Sequence, residues 1–197
     1  YQRCMFVVAL TNEFLKNIPN ASEEVDKERM AAEARFCRAL AYYTLMDLFG
    51  IPPFITEENY SISPSQLSRE ELFAWIENEL LAIQPALPLA GGEYGRANQS
   101  VVDALLARMY LNAEVYTGKE RYSDCIAACN RVIASGYQLA ENYAELFMAD
   151  NGQNARANRE IIFPVIFDGN TTQSYGMAAV ILGSRSSSDF ADVPAGI

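Results

Sequence analysis

The sequence contains no histidine among its 197 residues. Histidine supplies most general bases at neutral pH and is the commonest metal ligand in proteins. A serine–histidine or cysteine–histidine nucleophile pair therefore cannot form within this chain, nor can an HExxH zinc site or a zinc finger that contains histidine. Much of hydrolase chemistry is excluded, whereas mechanisms that use paired carboxylates are not.

Basic residues are also scarce, since 15 Lys and Arg face 25 Asp and Glu and leave a net charge of -10. Such a chain repels phosphate backbones and anionic lipid headgroups, so we expect no nucleic-acid partner.

Long apolar runs are missing too. No stretch of about 18 apolar residues occurs, so no segment is expected to span a bilayer. Half of the residues are hydrophobic and a fifth are charged, which is typical of a globular domain.

The four cysteines are poorly placed for chemistry. Cys125 and Cys129 stand four apart in a helical pattern, whereas zinc and redox sites favour a CxxC spacing, so we interpret the pair as small buried residues. The glycines near residue 91 lack the context of a phosphate loop, and the polar run from Asp150 lacks the alternating order of a calcium loop. The sequence therefore predicts no metal site and no cofactor.

Helical hydrophobic spacing covers the first half of the chain, which predicts an all-α fold. A helix is expected over residues 1–18, where apolar residues recur every four positions, at Phe6, Leu10, Phe14 and Ile18. A second is expected over 22–49, from Ser22 as its N-cap to Gly50, which two prolines follow. A third, over 68–85, opens with an S-x-x-E capping box at Ser68. Residues 51–67 form a long connection between the last two.

Residues 100–134 predict a helical hairpin of the tetratricopeptide type, with its turn at Gly118 and its end before Gly136. Small and aromatic residues stand where two antiparallel helices would meet, at Ala107, Tyr110, Tyr122, Cys125, Cys129 and Val132. Beyond residue 143 the helical pattern ends. The run EIIFPVIF, residues 160–167, predicts a minor extended segment, in which Pro164 disfavours a central strand. The uncharged residues 169–184 are expected to form a packed or ligand-facing loop.

Three passages of the chain resemble the SusD/RagB family of glycan-binding outer-membrane lipoproteins. They are AEARFCRALAYYTLMDLFGIPPFITE at 32–57, the hairpin passage that begins GRANQSVVDALLARMYLNAEVYTG at 95–139, and EIIFPVIFDGNTTQSYG at 160–176. Residues 1–18 also resemble the family helix that precedes the first passage, whereas 177–197 match poorly. The resemblance implies a SusD-like scaffold of tetratricopeptide-like hairpins whose long irregular loops build a shallow binding face.

The resemblance also implies an organisation and a function. Residues 1–197 are expected to be a portion of a single SusD-like helical domain, truncated at both ends, in which 143–197 form the irregular ligand-face region. The implied function is non-enzymatic binding of oligosaccharide or polysaccharide at the outer-membrane surface and its delivery to a SusC-like TonB-dependent transporter. Membrane attachment is implied only through a lipid anchor outside this chain.

A sugar site needs aromatic platforms together with amide and carboxylate side chains. That mixture occurs at Asp168, Asn170, Gln173 and Tyr175, and again at Tyr60, so these are the predicted ligand-binding residues. A buried turn in which Asp168 and Gln173 bond the backbone would give the same sequence. Two other functions remain open: a helical-hairpin scaffold that recruits a protein and binds no sugar, and a glycosidase that uses a carboxylate pair.

Several side chains that are suited to a ligand are expected to be structural instead. Trp75, the single tryptophan, stands beside apolar residues on the third helix, so packing is the expected role. Arg35 and Arg38 lie in an apolar helix and are expected to pair with nearby acids.

Overall fold

The computed structural model describes residues 1–59, 63–90, 93–148, 150–167, 170 and 172, which fall into one unit that ends at Pro164 and another that begins at Val165. Helices are the only regular elements of these residues, which confirms the all-α prediction. The α-helices are α1 (Gln2–Asn17), α2 (Lys27–Phe49), α3 (Arg69–Ile83), α4 (Gln99–Leu111), α5 (Ala113–Thr117) and α6 (Tyr122–Ala134). Short 3₁₀ helices cover Ile18–Asn20, Gln84–Ala86, Tyr143–Phe147 and Ala157–Arg159. No helix in these ranges is both long and apolar enough to cross a membrane.

Helices α1, α2 and α3 pack antiparallel, each against the next. The Tyr1 ring at the start of α1 meets the Phe49 ring at the end of α2, with 5.3 Å between centroids. Tyr42 of α2 likewise meets Trp75 of α3 at 5.3 Å. The three helices share a hydrophobic core with α4. The fully buried residues of this core include Phe36, Tyr42, Leu45, Ile76, Leu80, Leu106 and Met109.

Helices α4 and α6 form the predicted tetratricopeptide-like hairpin. Asp103 near the start of α4 accepts a hydrogen bond from Arg131 near the end of α6, at 2.8 Å. At the other end, the Arg121 guanidinium lies 4.8 Å from the Tyr110 ring centroid. Both contacts require the helices to run in opposite directions. The expectation that Cys125 and Cys129 are both buried is wrong, since Cys125 is half-buried and Cys129 is exposed, while Ala128 of α6 is completely buried.

Tyrosine hydroxyls connect this hairpin to the first three helices. Tyr110 donates to Glu77 of α3 at 2.8 Å, and the same carboxylate accepts from Arg121 at 2.9 Å. Tyr116 of α5 donates to Asp47 of α2 at 2.7 Å. These tyrosines therefore act in packing between helices.

The prediction for α1 is wrong about which face is buried. Phe6 and Leu10 are 64% and 55% exposed, whereas Val8 and Leu15 are buried. Residues four apart rotate by about 40° at each step, so the apolar series does not stay on one side of the helix. The buried face also contains Thr11 and Asn12, whose polar side chains make hydrogen bonds. Because these two residues are polar, the hydrophobic pattern of the sequence does not indicate this face.

Two predicted helix starts are displaced. Helix α2 begins at Lys27, because Asp26 and not Ser22 is its N-cap and accepts from the Arg29 amide at 3.0 Å. Helix α4 is capped by Asn98, whose side chain accepts from the Val101 amide at 3.1 Å, while Ser100 is buried inside the helix. The helix expected from residue 100 to about 117 is also interrupted at Asn112, which separates α4 from α5.

Other local signals are confirmed. Both hydrogen bonds of the Ser68–Glu71 capping box are present, at 2.8 and 3.2 Å. Gly118 and Gly136 adopt φ angles of 73° and 95° after α5 and α6, a backbone region that favours glycine. Residues 160–167 contain neither helix nor strand, and their Phe163 packs edge-on against Phe36 at 5.3 Å.

Candidate functional site

A cluster of ion pairs lies where α1, α2, α3 and the 51–67 connection meet. Arg35 of α2 makes two hydrogen bonds to Glu79 of α3, at 2.6 and 3.0 Å. Arg38, one turn later, bonds the same carboxylate at 3.1 Å and also bonds Glu57 of the connection. Its Nη1 donates to Asn12 of α1 at 2.8 Å. The prediction that Arg35 and Arg38 pair with acids is confirmed.

Burial and charge act in opposite directions on Glu79. Burial raises the pKa of its carboxyl, but hydrogen bonds and positive charge from Arg35 and Arg38 outweigh burial and hold the pKa below its ordinary value. The hydrogen bond to Glu79 correspondingly raises the pKa of Arg35. Glu79 and Arg35 are therefore both ionised near neutral pH.

Trp75 belongs to the core beside this cluster, as expected. Its ring stands edge-on to the rings of Tyr42 and Phe54, with centroids at 5.3 and 5.0 Å. The Arg38 guanidinium lies over the Trp75 ring at 5.4 Å, a favourable cation–π arrangement. Arg38 is only 3% exposed, and its Nε has no hydrogen-bond partner among the described residues.

The 51–67 connection is fixed to the helices at Ile55. The Tyr42 hydroxyl donates to the Ile55 carbonyl and accepts from the Ile55 amide, both at 2.8 Å. Asn12 donates to the same carbonyl at 3.1 Å. Burial raises the pKa of Tyr42 to about 12, so its hydroxyl keeps the proton that it donates. Further along, the Thr56 amide donates to the Asn59 side chain and closes a turn just before residue 60.

An open cleft of about 430 Å³ lies beside the ion-pair cluster. It is bordered by the C-terminal end of α1 and the 3₁₀ helix that follows it, by α2 and α3, and by residues 56–58 of the connection. Its lining residues are Leu15, Ile18, Ala31, Arg35, Arg38, Thr56, Glu57, Glu58, Trp75 and Glu79. The cleft therefore combines some apolar side chains, two guanidinium groups, three carboxylates and the single tryptophan. We call it the Trp75 cleft.

The predicted ligand-binding residues lie mostly outside the described part of the chain. This holds for Tyr60, Asp168, Gln173 and Tyr175. Asn170 is described and exposed. Sugar contact by these five side chains stays a prediction. Among the described residues, no group of three or more His, Cys, Asp or Glu side chains is placed to hold a metal ion.

The ion-pair cluster contains partners that sequence reasoning did not identify. Glu79 stands four residues after Trp75 on α3, so both point to the same side of the helix, and this spacing is the available signal. Asn12 is a polar residue on the buried face of α1 and carries no such signal. The pairing of Glu57 with Arg38 depends on the path of the connection, which the sequence does not show.

Antiparallel hairpins with irregular connections define a tetratricopeptide-like helical scaffold. Residues 1–111 match the profile of a SusD-like family described as starch-binding and associating with the outer membrane. The chain belongs to this SusD-like family.

The relatives are longer proteins. The chain is 38% identical over 188 residues to the starch-binding protein SusD of Bacteroides thetaiotaomicron, an alignment that covers 94% of this chain and 34% of SusD. A solved SusD superfamily protein from Parabacteroides distasonis has a TM-score of 0.74 at 27% identity, covering 90% of this chain and 39% of that one. A structure determined with xylogluco-oligosaccharide has a TM-score of 0.67 at 26% identity, covering 81% and 33%. The chain thus spans about a third of the length of SusD.

Proposed function

We propose that this protein binds oligosaccharide or polysaccharide at the outer-membrane surface without cleaving it, and delivers it to a SusC-like TonB-dependent transporter. The observation that carries the proposal is the family match over residues 1–111, which contain the ion-pair cluster and the Trp75 cleft. The starch-binding name of the 38% identical relative and the xylogluco-oligosaccharide in a related structure both support a glycan ligand.

The two arginine-paired carboxylates of the Trp75 cleft favour binding over hydrolysis. A glycosidase needs one carboxyl group with a raised pKa to protonate the leaving oxygen. Glu79 has a lowered pKa and accepts from two guanidinium groups. Glu57 is paired with Arg38. Neither acid suits the role of proton donor, and the relatives are named as binding proteins.

Glycan contacts are proposed at Tyr60 and at Asp168, Asn170, Gln173 and Tyr175. Tyrosine rings stack on the apolar faces of sugars, while amides and carboxylates bond their hydroxyls. Calorimetry against a panel of maltoheptaose, laminarihexaose and xyloglucan heptasaccharide should detect binding. Tyr175→Ala should then weaken the affinity about fivefold, because stacking of this kind contributes roughly 1 kcal/mol. Tyr122→Ala, an exposed tyrosine on α6, is the control. A protein that gives no heat with any of these sugars would contradict the proposal.

The proposal includes two further components, a SusC-like transporter and a lipid anchor that attaches the protein to the membrane. Exposed apolar side chains support contact with a protein: Tyr122, Ile126 and Ile133 of α6 are 46%, 62% and 73% exposed. The same surface favours the second candidate, a helical-hairpin interaction scaffold without sugar binding. Pull-down from outer-membrane extracts separates the two. A SusC-like protein recovered together with positive calorimetry supports the proposal, and a protein partner without sugar binding supports the scaffold.

A further inference from the structure

We infer, on the basis of the proposed glycan-binding function, that the Trp75 cleft is itself a subsite for a neutral sugar unit. This subsite uses residues other than the glycan contacts proposed above, which are Tyr60, Asp168, Asn170, Gln173 and Tyr175. It is built from the helical scaffold and from the start of the 51–67 connection.

The cleft has the size of a sugar site, and its mostly polar lining includes some apolar side chains. Its volume of about 430 Å³ lies within the range of roughly 300–1,000 Å³ that is usual for small-molecule sites. Leu15, Ile18 and Ala31 add apolar atoms to a mostly polar lining, and the C–H face of a pyranose can rest against such atoms. Trp75 adds an aromatic surface beside them, the side chain best suited to such contacts.

Its polar groups offer both donors and acceptors, and sugar hydroxyls need both. Arg35 uses Nε and Nη2 to bond Glu79, which leaves Nη1 as a donor on a side chain that is 31% exposed. Glu57 uses Oε2 to pair with Arg38 and keeps Oε1 as an acceptor. Glu58 is exposed on the rim, and no described cation pairs with it.

The balance of charge selects the class of sugar. Both guanidinium groups in the cleft are already paired with Glu57 and Glu79. Glu58 adds a carboxylate that no lining cation compensates, and the chain as a whole carries a net charge of -10. Uronic acids and sulfated sugars are therefore repelled, whereas a neutral hexose or pentose unit is accepted.

The lining is also preorganised. Arg35, Arg38 and Glu79 are held by mutual hydrogen bonds, and Trp75 packs edge-on against two aromatic rings. Thr56 accepts from the Glu58 amide at 3.3 Å, which fixes the rim. Binding therefore orders few side chains, and little of the contact energy is lost to entropy.

Because Trp75 is the only tryptophan of the chain and lines this cleft, tryptophan emission is a probe placed at the cleft. Titration with maltoheptaose, laminarihexaose and xyloglucan heptasaccharide should change the emission in a saturable way for each sugar that gives heat. The Kd from fluorescence should match the Kd from calorimetry. Oligogalacturonate, the acidic probe, should bind at least about tenfold more weakly, a difference of about 1.4 kcal/mol.

Two variants test the assignment. Ala31→Phe fills the cleft without removing a polar contact, and it should abolish the fluorescence response. Ala74→Phe places the same ring on the exposed side of α3 and should leave the response unchanged. If Ala31→Phe does not fold, as judged by circular dichroism, Glu58→Ala on the exposed rim replaces it and should weaken binding severalfold.

The outcomes separate this inference from the proposed function. Heat of binding without any change in Trp75 emission, or an Ala31→Phe response equal to that of the unmodified chain, overturns the subsite and leaves glycan binding intact. Tighter binding of oligogalacturonate than of the neutral sugars overturns the charge argument and with it the neutral-sugar assignment. No heat with any sugar contradicts the proposed function and the subsite together.

Discussion

The ion-pair cluster gives a sharp test through Glu79→Gln, which removes the negative charge shared by two guanidinium groups and keeps the shape of the side chain. Removing one partner of a buried ion pair costs about 3–5 kcal/mol. Two features reduce that figure here. Arg35 is 31% exposed and can be rehydrated, and Arg38 keeps Glu57 and Asn12 as partners. We therefore expect a loss of about 2–3 kcal/mol in the free energy of unfolding.

Urea unfolding followed by circular dichroism measures this loss. For a chain of this length the same change lowers Tm by roughly 4–12 °C. Glu23→Gln is the matched control, because Glu23 pairs with Lys27 at 2.5 Å but is 92% exposed, and exposed pairs contribute less than about 1 kcal/mol. If Glu79→Gln is no more destabilising than Glu23→Gln, the cluster does not stabilise the fold as argued.

Three further predictions follow from named contacts. The pKa of Glu79 is lowered in the folded state, so its stabilising effect is complete above the ordinary value of 4.5 and declines as pH falls through the folded pKa below it. The difference in unfolding free energy between the unmodified chain and Glu79→Gln should therefore decrease only at acidic pH. A difference that does not change with pH would contradict this prediction. Ser68→Ala should cost about 1 kcal/mol through loss of the capping box, whereas Ser123→Ala, exposed in α6, should cost almost nothing. Val8→Ala should cost about 2 kcal/mol and Phe6→Ala less than about 0.5 kcal/mol, and the reverse order would mean that the buried face of α1 is the one predicted from spacing.

Local signals in the sequence predicted the elements whose stability is local. The capping box at Ser68 and the helix ends before Gly118 and Gly136 depend on backbone groups within a few residues, so the pattern contains all the participants. The pairing of Arg35 and Arg38 with acids was also predictable, because a guanidinium in an apolar helix has few other ways to be satisfied. The spacing of small and aromatic residues predicted the hairpin at 100–134, and the family resemblance implied a scaffold of such hairpins.

Features that depend on distant partners could not be predicted in the same way. The buried face of α1 contains Asn12, which is polar and becomes acceptable there only because the Ile55 carbonyl and Arg38 meet it. The choice of Asp26 over Ser22 as the cap of α2 is a competition between two good capping residues. Glu79 and Glu57 each required the relative placement of α2, α3 and the connection.

The position of the ion-pair cluster explains how a long connection can have a defined path. A short turn between two helices restricts their relative placement by itself, but α2 and α3 are separated by the 51–67 connection, in which residues 51–59 and 63–67 contain no helix. The arrangement of α2 and α3 must therefore depend on contacts between residues that are far apart in the sequence. Asn12 and Tyr42 hold Ile55, and Arg38 holds Glu57 while also binding Glu79. One arginine of α2 thus contacts α1, the connection and α3 together. Loss of Arg38 would release the connection and the rim of the Trp75 cleft at the same time, whereas loss of Glu58 would change the rim alone.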